Sequence, residues 1–188
     1  KSDEKTDIIE EPIAENWYKK TTIVSNTYSI EEPKSSQGNV SYLIEGDSKS
    51  IMIDTGSGEN KGFNGSKMMY FLKDITETPI TLLLSHFHFD HNQNIIEFDK
   101  VAFPDLPFLK QKVVNNNYSF SEKELFFGTY PENTTVTEWL PINTNIDLGN
   151  RTIQLINIPG HTDESVAVID KTNKLAFLGD YLYNGTLF

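Results

Sequence analysis

Three of the four histidines in this 188-residue chain, together with one carboxylate, fall in the six-residue run His86-Phe87-His88-Phe89-Asp90-His91. The run before them, Pro79-Ile80-Thr81-Leu82-Leu83-Leu84, is short and almost continuously apolar, as a strand buried on both faces must be. The cluster therefore lies where a core strand emerges, on a loop presented by a rigid element. Side chains alternate along an extended chain, so His86 and His88 project to one side and both imidazoles can reach one cation. Asp90 and His91 follow as the chain turns and can serve a neighbouring position. A solvated surface histidine or a His-rich tract does not call for a core strand followed by His-x-His-x-Asp-His. Nitrogen and oxygen donors at this density suit zinc, iron(II) or manganese, whereas calcium prefers mostly oxygen.

Three further stretches stand in order around the cluster: Ile51-Met52-Ile53-Asp54-Thr55-Gly56 upstream, and Ile158-Pro159-Gly160-His161-Thr162 and Leu175-Ala176-Phe177-Leu178-Gly179-Asp180 downstream. Together the four motifs resemble those of the metallo-β-lactamase-fold superfamily, from about Trp17 to the C-terminus. The resemblance implies an α/β fold, an αββα sandwich. It implies that His86, His88 and His161 hold one metal, that Asp90 and His91 hold a second, and that Asp180 bridges the two. Two zinc ions are expected on this basis, with iron or manganese as alternatives. It also implies that Asp54 braces the histidine loop, since metal ligands need such support to keep their orientation.

The function implied is metal-dependent hydrolysis of a small ester, lactone, thioester or amide, β-lactams among the candidates. Asp90 and Asp180 would orient the attacking hydroxide. A metal-activated water needs no protein nucleophile, which agrees with the absence of cysteine and of any Ser-His-Asp arrangement. Two alternatives stay open: a mononuclear iron redox enzyme using His86, His88, His161 and Asp180, and a catalytically inactive, metal-poor binding protein. The formal net charge of -11, with no Lys/Arg cluster, argues against nucleic acid as substrate. No apolar run approaches the roughly 18 residues of a membrane helix.

Taken in order, residues 1–15 are charged and aperiodic and are expected to form a flexible acidic arm, with one domain over residues 16–188. The start at Lys1 reads either as a tether exposed after a signal sequence, which leans to an exported bacterial protein, or as an arbitrary boundary compatible with a cytoplasmic one. Two hairpins are expected: Thr21–Val24 with Tyr28–Ile30 turning at Asn26, and Val40–Glu45 with Lys49–Asp54 turning at residues 46–48. Gly56–Gly65 reads as a flexible turn at the edge of the site, and Ser66 as the N-cap of a helix to Asp74. A short helix is expected over Asn92–Phe98, where Asn92-Gln93-Asn94 stands in place of the superfamily's frequent glycine pair. The aromatic-rich segment 104–142 reads as an insertion with its own short helices, its rings packing against the sandwich. Strands are expected at Thr152–Ile158, Ser165–Asp170 and Lys174–Asp180. The superfamily generally adds a later histidine and more sheet and helix after the bridging aspartate. The chain stops at Phe188, so its C-terminal part is expected to be missing.

Overall fold

The computed structural model describes residues 16–62, 66–120 and 133–182. The acidic arm expected over residues 1–15, Phe126, Phe127 and Tyr130 of the aromatic segment, and Gly65 lie outside the described residues. Both expected hairpins are present. Strands β1 (Lys19–Val24) and β2 (Thr27–Glu31) turn at Asn26, which adopts a φ of 57°, a region asparagine tolerates better than most residues. Strands β3 (Val40–Glu45) and β4 (Ser50–Ile53) pair antiparallel with Ile44 opposite Ile51.

Strand β5 (Ile80–Leu83) then lies parallel to β4, followed by β6 (Val101–Pro104) and β9 (Glu138–Leu140), giving a seven-stranded sheet in the order β1-β2-β3-β4-β5-β6-β9. A second sheet of four antiparallel strands comprises β10 (Asn145–Asp147), β11 (Thr152–Asn157), β12 (Val166–Asp170) and β13 (Leu175–Phe177). The central strands of the large sheet are buried on both faces, and their side chains divide by parity. Leu43, Met52, Leu82, Leu84 and Phe103 face a core shared with helices α1 (Met68–Lys73) and α3 (Pro107–Lys112), through Met68, Leu72 and Leu109. Ile44, Ile51, Ile53, Leu83 and Ala102 face the second sheet, meeting Leu148, Ile153, Leu155 and Val168. The layers are thus helix, sheet and sheet. A one-residue slip of β4 or β5 would exchange the two cores, which pins the register.

One buried ion pair joins the sheets. Arg151, just before β11, pairs with Asp170 at the end of β12 (Nη2 to Oδ2, 2.5 Å), and both side chains are buried. The same guanidinium donates to the carbonyls of Asn26 (2.5 Å) and Glu45 (2.9 Å) and to Thr27 Oγ1 (2.5 Å) in the large sheet. Asp170 also accepts from Thr172 N, Asn173 N and Asn173 Nδ2. Burial alone would raise its pKa, but the bonds from Arg151 and Asn173 outweigh burial and lower it. An exposed pair such as Lys19–Glu31, by contrast, contributes about 1 kcal/mol or less.

Several local expectations change. Ser66 does not cap α1: Lys67 occupies the cap position without a side-chain bond, and the Ser66 carbonyl instead accepts from Asn60 Nδ2. The glycine-rich loop contains a 3-10 turn over Glu59–Gly62 with Asn60 buried, so this part is more ordered than a flexible turn. The expected helix at Asn92–Phe98 divides into α2 (Phe89–Asn92) and a 3-10 turn over Ile95–Glu97. In segment 104–142 the only helix among the described residues is α3. That part also contains three short strands, with β7 (Asn117–Ser119) and β8 (Asn133–Thr135) pairing antiparallel and β9 extending the large sheet. Its rings do pack inward, as Tyr118 and Phe120 are buried beside Phe87. No helix among the described residues is long and apolar enough to cross a membrane.

Candidate metal centre

The six candidate ligands all leave strands at one end of the sandwich. His86 and His88 follow β5, Asp90 and His91 lie in α2, His161 follows β11, and Asp180 sits in a 3-10 turn two residues beyond β13 rather than on the strand expected to reach it. Phe87 shows why His86 and His88 point away from the aromatic core. It is buried against Phe103 and Tyr118, and the alternation of the extended chain then turns its two neighbours the other way.

The ligand atoms fall into two trios, each with its members within 4.8 Å of one another: His86, His88 and His161, and His86, His91 and Asp180. His161 Nε2 lies 2.9 Å from His88 Nδ1. Asp180 reaches both sides, with Oδ1 3.3 Å from His91 Nε2 and Oδ2 3.9 Å from His161 Nε2. Asp90 joins neither trio. Its Oδ2 lies 3.6 Å from His91 Nε2, and Asn39 Nδ2 holds its backbone carbonyl at 2.8 Å.

Asp54 fixes the orientation of two of the rings. It follows β4 at a φ of 66°, a conformation that costs a non-glycine residue about 1–3 kcal/mol and persists only where surrounding bonds enforce it. Here they do. Ser85 N donates to Oδ1 and Ser85 Oγ to Oδ2, both at 2.7 Å, and His91 Nδ1 lies 2.9 Å from Oδ2. With its proton given to Asp54, Ser85 Oγ accepts from His86 Nδ1 at 3.1 Å. His86 therefore carries its proton on Nδ1 and leaves the Nε2 lone pair free. That nitrogen is buried with no hydrogen-bond partner, an arrangement that costs about 1–3 kcal/mol unless something else fills it. Gly179 permits the approach: at a φ of 52°, a Cβ there would stand 2.5 Å from Ser85 Oγ.

Burial, then the neighbouring rings of His91, His88 and His161, holds the His86 pKa well below its ordinary value. Burial, then His161, lowers that of His88, so both rings are neutral at pH 7 and offer lone pairs. Burial would do the same to His91, but Asp54, Asp180 and Asp90 together outweigh it and raise its pKa well above the usual value. For Asp180, burial pushes upward and is outweighed by the bond to His91 and the charges of the surrounding histidines, so the carboxylate stays ionised. The neutral imidazoles of His86 and His88, the ionised carboxylate of Asp180 and the partnerless buried nitrogen of His86 fit a divalent cation.

Some contributors had no local signal. Ser85 directly precedes the histidine run but is no metal donor by type, and Asn39 reaches Asp90 from 51 residues away. Nothing in the spacing of either pointed to the site.

The chain matches the family model described as "Metallo-beta-lactamase superfamily" over residues 37–187. It is 26% identical over 193 aligned residues to the acyl-coenzyme A thioesterase MBLAC2 of Homo sapiens, covering 91% of this chain and 68% of that protein. It is 27% identical over 156 residues to hydroxyacylglutathione hydrolase 1 of Vibrio vulnificus, covering 83% of this chain and 52% of that one. Among solved structures, a metallo-beta-lactamase from Pontibacter korlensis superposes with a TM-score of 0.60 at 18% identity, over 89% of this chain and 73% of that chain; this likeness concerns the fold.

Proposed function

We propose, because this chain belongs to the metallo-beta-lactamase superfamily and its relatives include a named thioesterase and a named hydroxyacylglutathione hydrolase, that it hydrolyses a small acyl compound at a centre held by His86, His88, His161, His91, Asp90 and Asp180. Thioesters stand first among the ester, lactone, thioester and amide classes, since a relative named as a thioesterase aligns over 91% of the chain. The observation that carries the reading is the buried, partnerless Nε2 of His86 at the junction of the two trios.

His86, His88 and His161 would hold one divalent cation, zinc first, and His91, Asp90 and Asp180 would hold a second. When bound, such a metal supplies a water acidified to near neutrality and polarises the scissile carbonyl. The chain's own groups handle position and protons. Asp180 is ionised and faces both His91 and His161, so it can accept a hydrogen bond from the attacking water and orient it. Asp90, beside His91 Nε2, is the other acceptor available for that proton. Asp54 engages the Nδ1 side of His91 directly and of His86 through Ser85 Oγ, which leaves Nε2 of each ring toward the other candidate ligands.

The decisive experiment quantifies metal in the purified chain and then assays an acyl-thioester, ester, lactone and cephalosporin panel. Turnover of at least one acyl substrate, lost on chelation and restored by zinc, is expected. Iron content with oxygen-dependent turnover would replace this reading with the redox alternative.

The two trios also predict unequal filling. His86 belongs to both, and its Nδ1 is already engaged with Ser85, so its single free nitrogen can serve only one ion. Once the three histidines are occupied, the second position keeps His91, Asp180 and the more distant Asp90. A zinc titration is expected to show one tight equivalent and a second weaker by about tenfold or more, because the second site must draw in Asp90, which stands outside both trios, to reach three donors, and ordering it costs binding free energy. Two equivalents of equal, tight affinity would contradict it.

A further inference from the structure

Two bonds tie the loop carrying His161 to the loop carrying His86 and His88. Val166 N donates to the Ser85 carbonyl at 2.9 Å, and Phe87 N donates to Glu164 Oε1 at 3.1 Å. Glu164 is only 7% exposed, an uncommon place for a glutamate that has no task for its charge. The amide it accepts belongs to the residue between two candidate ligands, and Glu164 itself stands three residues after the third. β5 ends at Leu83, so Phe87 N lies past the strand's ladder, while the ring of the same residue is locked in the aromatic core. A buried amide requires an acceptor, and for Phe87 N that acceptor is Glu164 Oε1.

We propose that Glu164 is a positioning residue for the metal centre: by holding Phe87 N it fixes the separation of the His86/His88 loop from the His161 loop. The inference rests on the reading that His86, His88 and His161 hold a metal. The Val166–Ser85 bond alone leaves the two loops free to pivot about one point. The Glu164–Phe87 bond supplies a second point, and the 2.9 Å between His161 Nε2 and His88 Nδ1 is the distance that results. Support is thus shared between two carboxylates, Asp54 for His86 and His91 and Glu164 for His88 and His161.

The test measures zinc affinity of the chain by competition with a chromophoric chelator, alongside the thermal midpoint of the metal-free protein, for wild type, Glu164→Ala and Glu164→Gln. Glutamine keeps an acceptor oxygen at the same reach and is expected to bind the first equivalent within about threefold of wild type. Alanine is expected to weaken it about 10- to 100-fold, the range typical when groups supporting metal ligands are removed. A role in folding alone would lower the metal-free midpoint and leave affinity unchanged, and unchanged affinity in Glu164→Ala overturns the proposal. So does an equal loss in Glu164→Gln, since its acceptor would then have failed to rescue. If Glu164→Ala does not fold, Glu164→Asp replaces it, one methylene too short to reach Phe87 N. Affinity equal to that of Glu164→Gln overturns the proposal, and a loss of tenfold or more supports it. A wild-type chain that binds no zinc would overturn the three-histidine reading itself, which a zinc-binding wild type with an indifferent Glu164→Ala would not.

Discussion

His86→Ala and Asp180→Ala are each expected to lower hydrolysis on the order of a thousandfold or more, about 4 kcal/mol of barrier, with circular dichroism unchanged. The size follows from their positions. His86 contributes the one nitrogen common to both trios, and Asp180 is the one carboxylate that faces both His91 and His161. The fold should tolerate both changes. Asp180 lies in a half-exposed turn, and removing the His86 ring also removes a buried nitrogen without a partner, which offsets part of the cavity left behind. Steady-state kinetics on the substrate found in the panel checks this, and full turnover by either variant would remove the metal mechanism.

Arg151→Met is expected to destabilise the chain by about 3–5 kcal/mol, a large share of the roughly 5–15 kcal/mol that holds a domain folded. It leaves a buried Asp170 carboxylate without its cation and deprives the carbonyls of Asn26 and Glu45 of a donor. The pH dependence has a definite sign. The folded-state pKa of Asp170 is depressed, so its contribution is fully present above the unfolded value of about 3.9 and is lost as pH falls through the folded value. Urea midpoints of wild type and Asp170→Asn should therefore differ at pH 7 and converge below about pH 4. A loss under 1 kcal/mol for Arg151→Met would show that the guanidinium does not join the sheets energetically.

Much of this was open to reading along the chain because the signals were local. The apolar run at residues 79–84 specifies a strand buried on both faces, and β5 lies between the two cores. His86 and His88 share a side because alternation demands it, and both hairpins follow from β-branched runs broken by turn residues. Where signals competed, tertiary context decided. Ser66 favours a cap on propensity, yet α1 begins at Met68 because Met68 and Leu72 fit the core, and a missing cap costs only about 1 kcal/mol against several for burying two such side chains. Strands β7, β8 and β9 escaped notice because three-residue strands carry too few side chains for a period to be visible.

By itself, then, the sequence determined which residues are candidate metal donors and which segments lead to them, since donor types and strand periods are properties of neighbours in the chain. Only the tertiary structure decided how the candidate ligands divide: that His86 belongs to two trios, that Asp90 belongs to neither, and that Asp54 orients two rings from their Nδ1 side. Those facts depend on distances between loops joined to different strands, as between Phe87 and Glu164, 77 residues apart. Contacts of that kind are set by the packing of one sheet on the other and leave no periodicity in the chain to read.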